Sequence, residues 1–170
     1  VADDFNARFS ALARRYHYLI YTRAESSAIL YGRVTHVPHA LDVNAMQLAA
    51  KALIGEQDFT SFRAAGCQST TAQRNVHRVS VTRHGDFILL DIQANAFLQH
   101  MVRNIAGSLL EIGRGKQSTD WIGHLLRLKD RTAAAMTASP QGLYLAEVIY
   151  PEECGLPEGL QAPPFFGLSE

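Results

Sequence analysis

Asn95-Ala-Phe-Leu-Gln-His-Met-Val-Arg-Asn-Ile-Ala-Gly-Ser-Leu-Leu-Glu-Ile-Gly113 is the stretch whose reading decides the fold. Leu98, Met101, Ile105, Leu109 and Ile112 recur at spacings of three and four, which predicts a helix with these residues stacked on one face. Val102 and Ala106 widen the stripe. Asn95 has the side chain of an N-cap, and Gly113 the backbone freedom of a C-terminal stop. Gly107 is out of place, because a glycine inside a helix costs about 1 kcal/mol relative to Ala. Its presence predicts that another backbone or a ligand comes close there. Arg103 sits about 130° from the centre of the apolar stripe, near His100 and Gly107. It is either a solvated surface arginine or an anchor whose planar five-donor fork holds a carboxylate or phosphate.

Outward from this helix the chain alternates strand and helix signals. Residues 8–22 read as a strand, with Tyr16, Tyr18 and Ile20 on one face and His17, Leu19 and Tyr21 on the other. Apolar groups on both faces predict a central strand. Residues 23–41 are an irregular connection. Residues 42–55 form a helix capped by Asp42 and ended by Gly55. Residues 56–74 read mostly as loop, with Phe59 and Phe62 as buried anchors. Residues 75–83 and 87–94 make a hairpin turning at Gly85-Asp86. After the organising helix, residues 119–128 form another, capped by Ser118 or Thr119, and residues 130–138 a third helical segment. Residues 143–150 are the last strand, and the proline-rich residues 151–170 an extended acidic tail. The order predicts an α+β domain over residues 1–150: a ferredoxin-like split βαβ, its antiparallel sheet covered by helices on one face.

Composition narrows the function. Lys plus Arg and Asp plus Glu are both 16, so a strongly basic nucleic-acid binder is excluded. The distribution is uneven: every cation lies within residues 1–131, and thirteen of the sixteen are Arg, the residue suited to phosphates and planar groups. No apolar run approaches the roughly 20 residues that cross a membrane. Two cysteines, Cys67 and Cys154, make no disulfide framework, so the cytoplasm is the expected compartment. The chain opens on Val with a strand pattern soon after, and is therefore expected to begin within a longer protein. His36 and His39 have a spacing that offers two metal ligands, but no second pair supports them and no metal is expected. Neither a nucleophile elbow nor a glycine-rich phosphate loop is present, and no cofactor is expected.

Four stretches together carry a resemblance. Asp4-Phe-Asn-Ala-Arg-Phe-Ser-Ala11 leads into Arg15-Tyr-His-Tyr18; Gly55-Glu-Gln-Asp-Phe-Thr-Ser-Phe62 follows; the organising stretch runs through Arg103 to Gly107; and Gly142-Leu-Tyr-Leu145 closes the series. In this order they resemble the C-terminal half of the bacterial tRNA pseudouridine synthase A family. The resemblance implies two ferredoxin-like halves sharing one sheet, an active cleft between them, a homodimer, and isomerisation of uridine in the tRNA anticodon stem-loop at positions 38 to 40. It implies that the target base is flipped out of its helix. Arg103 matches the family arginine that pairs with the nucleophilic aspartate, Tyr16 the tyrosine that lies against the target base, and Leu143 a leucine lining the pocket. The Gly-Arg-Thr-Asp-Ala-Gly-Val-His motif that carries the aspartate belongs to the family's N-terminal domain and does not occur here. The chain is thus expected to supply one wall of the cleft and to be inactive without that domain. The alternative is a non-catalytic ferredoxin-like module that binds RNA or protein through its sheet.

Overall fold

A computed structural model describes residues 5–156. Strand β1 (Ala13–Tyr21) is central, and residues 17–21 are all buried. Its alternation divides the interior. Tyr18 and Ile20 enter the main core, while Leu19 and Tyr21 join Val34 and Leu89 in a smaller cluster on the other face. The expected strand is shortened at its start. The Asn6 side chain accepts hydrogen bonds from the backbone N–H groups of Arg8 and Phe9, which makes a turn there instead.

The other strands are β2 (Thr35–His36), β3 (Gly55–Asp58), β4 (Gln73–His84), β5 (Phe87–Ala94) and β6 (Leu143–Ile149). The sheet runs β2-β1-β5-β4-β3, and β6 shares the outer side of β1 with β2. β6 is antiparallel along Ala13–Tyr18, and β2 is parallel at Ile20 and Tyr21. The path β6-β1-β5-β4 is the split βαβ order expected from the sequence. Helices α1 (Val43–Ala50), α2 (Met101–Gly113) and α3 (Trp121–Leu128) supply Met46, Ile105 and Leu125 to the core that holds Tyr18, Ile88 and Leu90. The helices therefore cover one face, as predicted.

Several boundaries differ for physical reasons. α2 begins at Met101, not at Asn95. His100 takes the left-handed conformation (φ 60°) and turns the chain into the helix. The Asn95 side chain instead accepts from the backbone N–H of Asn75 and Ala96, tying the end of β5 to the start of β4. Leu98 is buried from this loop. The positive φ that ends the helix belongs to Gly115 (+72°), not Gly113. A Cβ on Gly113 would lie 2.6 Å from the Met46 sulfur, so this glycine lets α1 approach. Asp42 caps α1 through the Ala45 N–H as predicted, but the helix tightens into a 3-10 turn at Lys51–Leu53.

β3 was expected to be loop; Gly-Glu-Gln-Asp has no apolar alternation, and the strand is defined by pairing with β4. Phe59 and Phe62 are fully buried as expected. No side chain caps α3, where the Trp121 N–H donates to the Ser118 carbonyl. The third helical segment reduces to a single turn, Arg131–Ala133, capped by Asp130. Residues 134–139 run as an extended strap. The distal part of the predicted tail, residues 157–170, lies outside the described residues.

Candidate active site

The strap lies along the side of α2 that bears Gly107. A Cβ on Gly107 would meet the Met136 carbonyl oxygen at 2.2 Å, so the bare patch of helix is occupied by backbone. One turn earlier the Ala138 N–H donates to the Arg103 carbonyl (3.2 Å), and Arg103 Nε donates to the Ala138 carbonyl (2.8 Å). The strap is clamped from within. Arg131 donates to the Ala135 carbonyl (2.9 Å), to Asn104 Oδ1 (3.1 Å) and to Thr137 Oγ1 (3.0 Å). The Thr137 hydroxyl donates to Asn104 Oδ1 (2.7 Å), and fully buried Asn104 donates to the Phe62 carbonyl (2.7 Å). The bonds that tie the strap to α2 and α2 to Phe62 were not legible in sequence, because their partners lie 27 to 42 positions apart.

The strap continues across the end of β1. The Tyr18 hydroxyl donates to the Ser139 carbonyl (2.8 Å) and shares a hydrogen bond with Thr35 Oγ1, which donates to the Gln141 carbonyl (2.7 Å). Burial pushes the Tyr18 phenol up, against the Thr35 hydrogen bond and the Arg103 cation, which pull it down. Arg103 is therefore held over β1 near Tyr18. Its Nε is committed to Ala138, and its two terminal nitrogens have no hydrogen-bond partner among the described residues. No carboxylate among them lies within ion-pair distance of it.

Tyr16 lies one residue pair along the same face of β1. Its ring meets Phe97 edge-on, with centroids 5.1 Å apart and planes at 87°. Burial raises its phenol, opposed by the Arg14 cation. Leu143 opens β6 opposite Tyr18, is half-buried, and packs on the main core. Leu145, opposite Tyr16, is 53% exposed; it is the apolar side chain of this wall that the sequence reading passed over. Arg103, Tyr16 and Leu143 thus come to one side of the sheet, although no hydrogen bond joins Arg103 to Tyr16. His36 Nε2 donates to the Arg23 carbonyl (2.8 Å), and no group of three His, Cys, Asp or Glu able to hold a metal occurs among the described residues.

The opposite face carries an ionic cluster of a different kind. Asp91, 4% exposed, accepts from Arg15 Nε and Nη2 at 2.7 and 2.6 Å, with His17 Nε2 at 3.6 Å. Burial pushes the Asp91 carboxyl up, but the hydrogen bonds from Arg15 and His17 outweigh it and hold it well below the usual carboxylate range. This cluster faces away from α2 and braces the pairing of β1 with β5.

Comparison with known proteins places the chain in a family. The family model described as tRNA pseudouridine synthase matches residues 49–151. The chain is 61% identical over 166 residues to the tRNA pseudouridine synthase A of Shewanella amazonensis, covering 98% of this chain and 63% of that protein. It is 57% identical to those of Glaesserella parasuis, over 98% of this chain and 63% of the relative, and Pasteurella multocida, over 97% and 62%. The chain therefore spans just under two thirds of the length of these curated relatives. With a family match over more than half its length and such identities along nearly all of it, the chain belongs to the tRNA pseudouridine synthase family.

Proposed function

We propose that this chain is the guanidinium-and-phenol wall of the active cleft of a tRNA pseudouridine synthase, an isomerase that acts on uridine in the anticodon stem-loop at positions 38 to 40. The observation that supports the reading most is the state of Arg103: Nε is fixed to the Ala138 carbonyl, while neither terminal nitrogen has a partner among the described residues. A guanidinium so held is a fork for a carboxylate, and a carboxylate paired with it stays ionised, as a nucleophile must be. The aspartate comes from a domain outside this chain, whose strand neighbour is the outer edge of β6. Tyr16 offers its ring to a base flipped out of the stem, worth about 1–3 kcal/mol of stacking. Leu143 lines the apolar side of the pocket.

The reaction breaks the bond from ribose C1′ to uracil N1 and forms one from C1′ to C5. The hydrogen at C5 leaves as a proton and N1 gains one. Nothing is oxidised or reduced, so neither cofactor nor metal is called for. The enzyme works as a cytoplasmic homodimer on tRNA.

Tritium release from tRNA labelled at uridine C5 tests this in the full-length protein that carries the chain. Arg103→Ala is expected to lower turnover at least about a hundredfold, the usual loss when a fixed electrostatic partner is removed. Near-normal turnover would overturn the assignment. Tyr16→Ala is expected to lose stability with the Phe97 contact and, well below its melting transition, to lower product formation further. Unchanged product formation would make Tyr16 a bystander.

A further inference from the structure

A recess lies beside Tyr16. It is a cleft of about 830 Å³ between the turn that precedes β1 and the loop of residues 66–69. Arg8, Arg14 and Arg74 line it together with Phe9, Tyr16 and Phe97, and among the described residues no Asp or Glu does. Arg15, Arg23, Arg78 and Arg114 each pair with a carboxylate elsewhere. Arg8, Arg14, Arg74 and the adjacent Arg63 do not, among the described residues.

Their hydrogen bonds go to neutral groups. Arg14 donates to the carbonyls of Ala11 (3.0 Å) and Asn95 (3.1 Å), and to that of Arg8. Arg63 Nη2 donates to the carbonyls of Cys67 (2.9 Å) and Ser69 (2.6 Å), and Arg74 Nη2 to the Ser69 hydroxyl (2.6 Å). Such bonds fix the position of the charges without cancelling them. Burial pushes the Arg74 guanidinium down, the Cys67 thiol opposes it, and repulsion from the Arg63 cation adds to the lowering. The Gln99 N–H, 3.4 Å from Cys67 Sγ, holds the Cys67 thiol below its ordinary value together with hydrogen bonds from Ser69 and Arg63. An anion placed in the cleft relieves this repulsion.

Phe9 adds the second chemistry. It stands at the rim 78% exposed, with the Arg8 guanidinium 5.6 Å from its ring centroid. An open aromatic face beside uncompensated guanidiniums matches an unpaired nucleotide, whose base stacks while its phosphate meets the cations. An acidic peptide satisfies the charges but leaves the ring unused.

We propose that this cleft binds the sugar-phosphate and base of an unpaired nucleotide next to the target uridine, with Phe9 as its stacking face and Arg8 among its phosphate contacts. The proposal rests on the reading of the chain as part of an RNA-modifying enzyme and names where that RNA continues beyond the reacting base.

The test measures binding of a fluorescent anticodon stem-loop RNA to the full-length protein over a range of salt, alongside tritium release by the unsubstituted protein. Phe9→Ala is expected to weaken binding about tenfold or more, and Phe9→Tyr to restore it. Arg8→Gln is expected to lower the slope of log affinity against log salt by about one phosphate contact. Both positions are exposed turn residues, so the variants fold. Normal binding and an unchanged salt slope in both, with tritium release intact, overturn the cleft assignment and leave the isomerase reading standing. The expected losses without any tritium release support the cleft and overturn the isomerase reading instead. Displacement of the RNA by a glutamate-rich peptide at equal charge concentration would overturn the nucleic-acid assignment.

Discussion

Replacing Gly107 by Ala separates local preference from tertiary packing. In an isolated helix the change is favourable by about 1 kcal/mol, since Ala is the better helix former. Here the new methyl would sit 2.2 Å from the Met136 carbonyl oxygen and 3.4 Å from the Ala138 nitrogen. The oxygen belongs to backbone, so it cannot swing aside as a side-chain end would. The strap must retreat by roughly 1 Å to restore an ordinary contact. Both hydrogen bonds between Ala138 and Arg103 lie within that displacement, at 2.8 and 3.2 Å. Losing or stretching them costs about 1 kcal/mol each, and the overpacking itself typically 1–3 kcal/mol. Set against the helix gain, the net is about 2–4 kcal/mol of destabilisation, or a fall in Tm of roughly 4–16 °C for a domain of this size. Thermal and urea unfolding of the variant measure it directly. Because the strap also aims Arg103, tritium release by the full-length protein should fall even well below the melting transition. A variant as stable as the parent, or more so, would show that the strap does not press on this glycine.

Two further outcomes concern the strap clamp and the ionic cluster on the opposite face. Thr137→Val removes the hydroxyl that links Asn104 to Arg131, and should lower turnover several-fold while leaving tRNA affinity unchanged; Thr137→Ser should restore it. A loss of thermal stability alone, with turnover intact in all three proteins, would reduce the clamp to scaffolding. Asp91→Asn takes from half-buried Arg15 the nearer of its two carboxylates, leaving Glu147 at 3.6 Å, and should cost about 1.5–3 kcal/mol by urea unfolding at neutral pH. The folded carboxyl titrates below its unfolded value, so its contribution is complete above about pH 4 and drains away as pH falls further. The parent should therefore lose stability on acidification through that window more steeply than the variant. Parallel curves would refute the ion cluster as the cause.

Much of the architecture was legible before any coordinates. Two-sided apolar alternation in Tyr16–Tyr21 requires a strand buried on both faces, and Gly85-Asp86 between two β-branched runs requires a hairpin. Asp42 ahead of an apolar stripe requires a capped helix. Periodicity failed where burial and helicity part company. Leu98 fits the spacing of α2 and is buried, yet it reaches the core from a loop, because apolar spacing records which side chains go inside and not which backbone carries them. β3 left no apolar signal because an edge strand can be held by backbone hydrogen bonds alone.

The candidate site divides in the same way. By itself the sequence marked Gly107 as a helix position that something must approach, and Arg103, four residues before it, as a cation in search of a partner. It could not say that the approaching group is the chain's own strap, because that strap owes its extended course to Arg131, Asn104 and Thr137, which become neighbours only after folding. Nor could it tell which nitrogens of Arg103 are spent. Ala138, 35 positions away, takes Nε and leaves the terminal fork without a partner among the described residues, and hydrogen bonds across such a separation are set by packing rather than by local pattern.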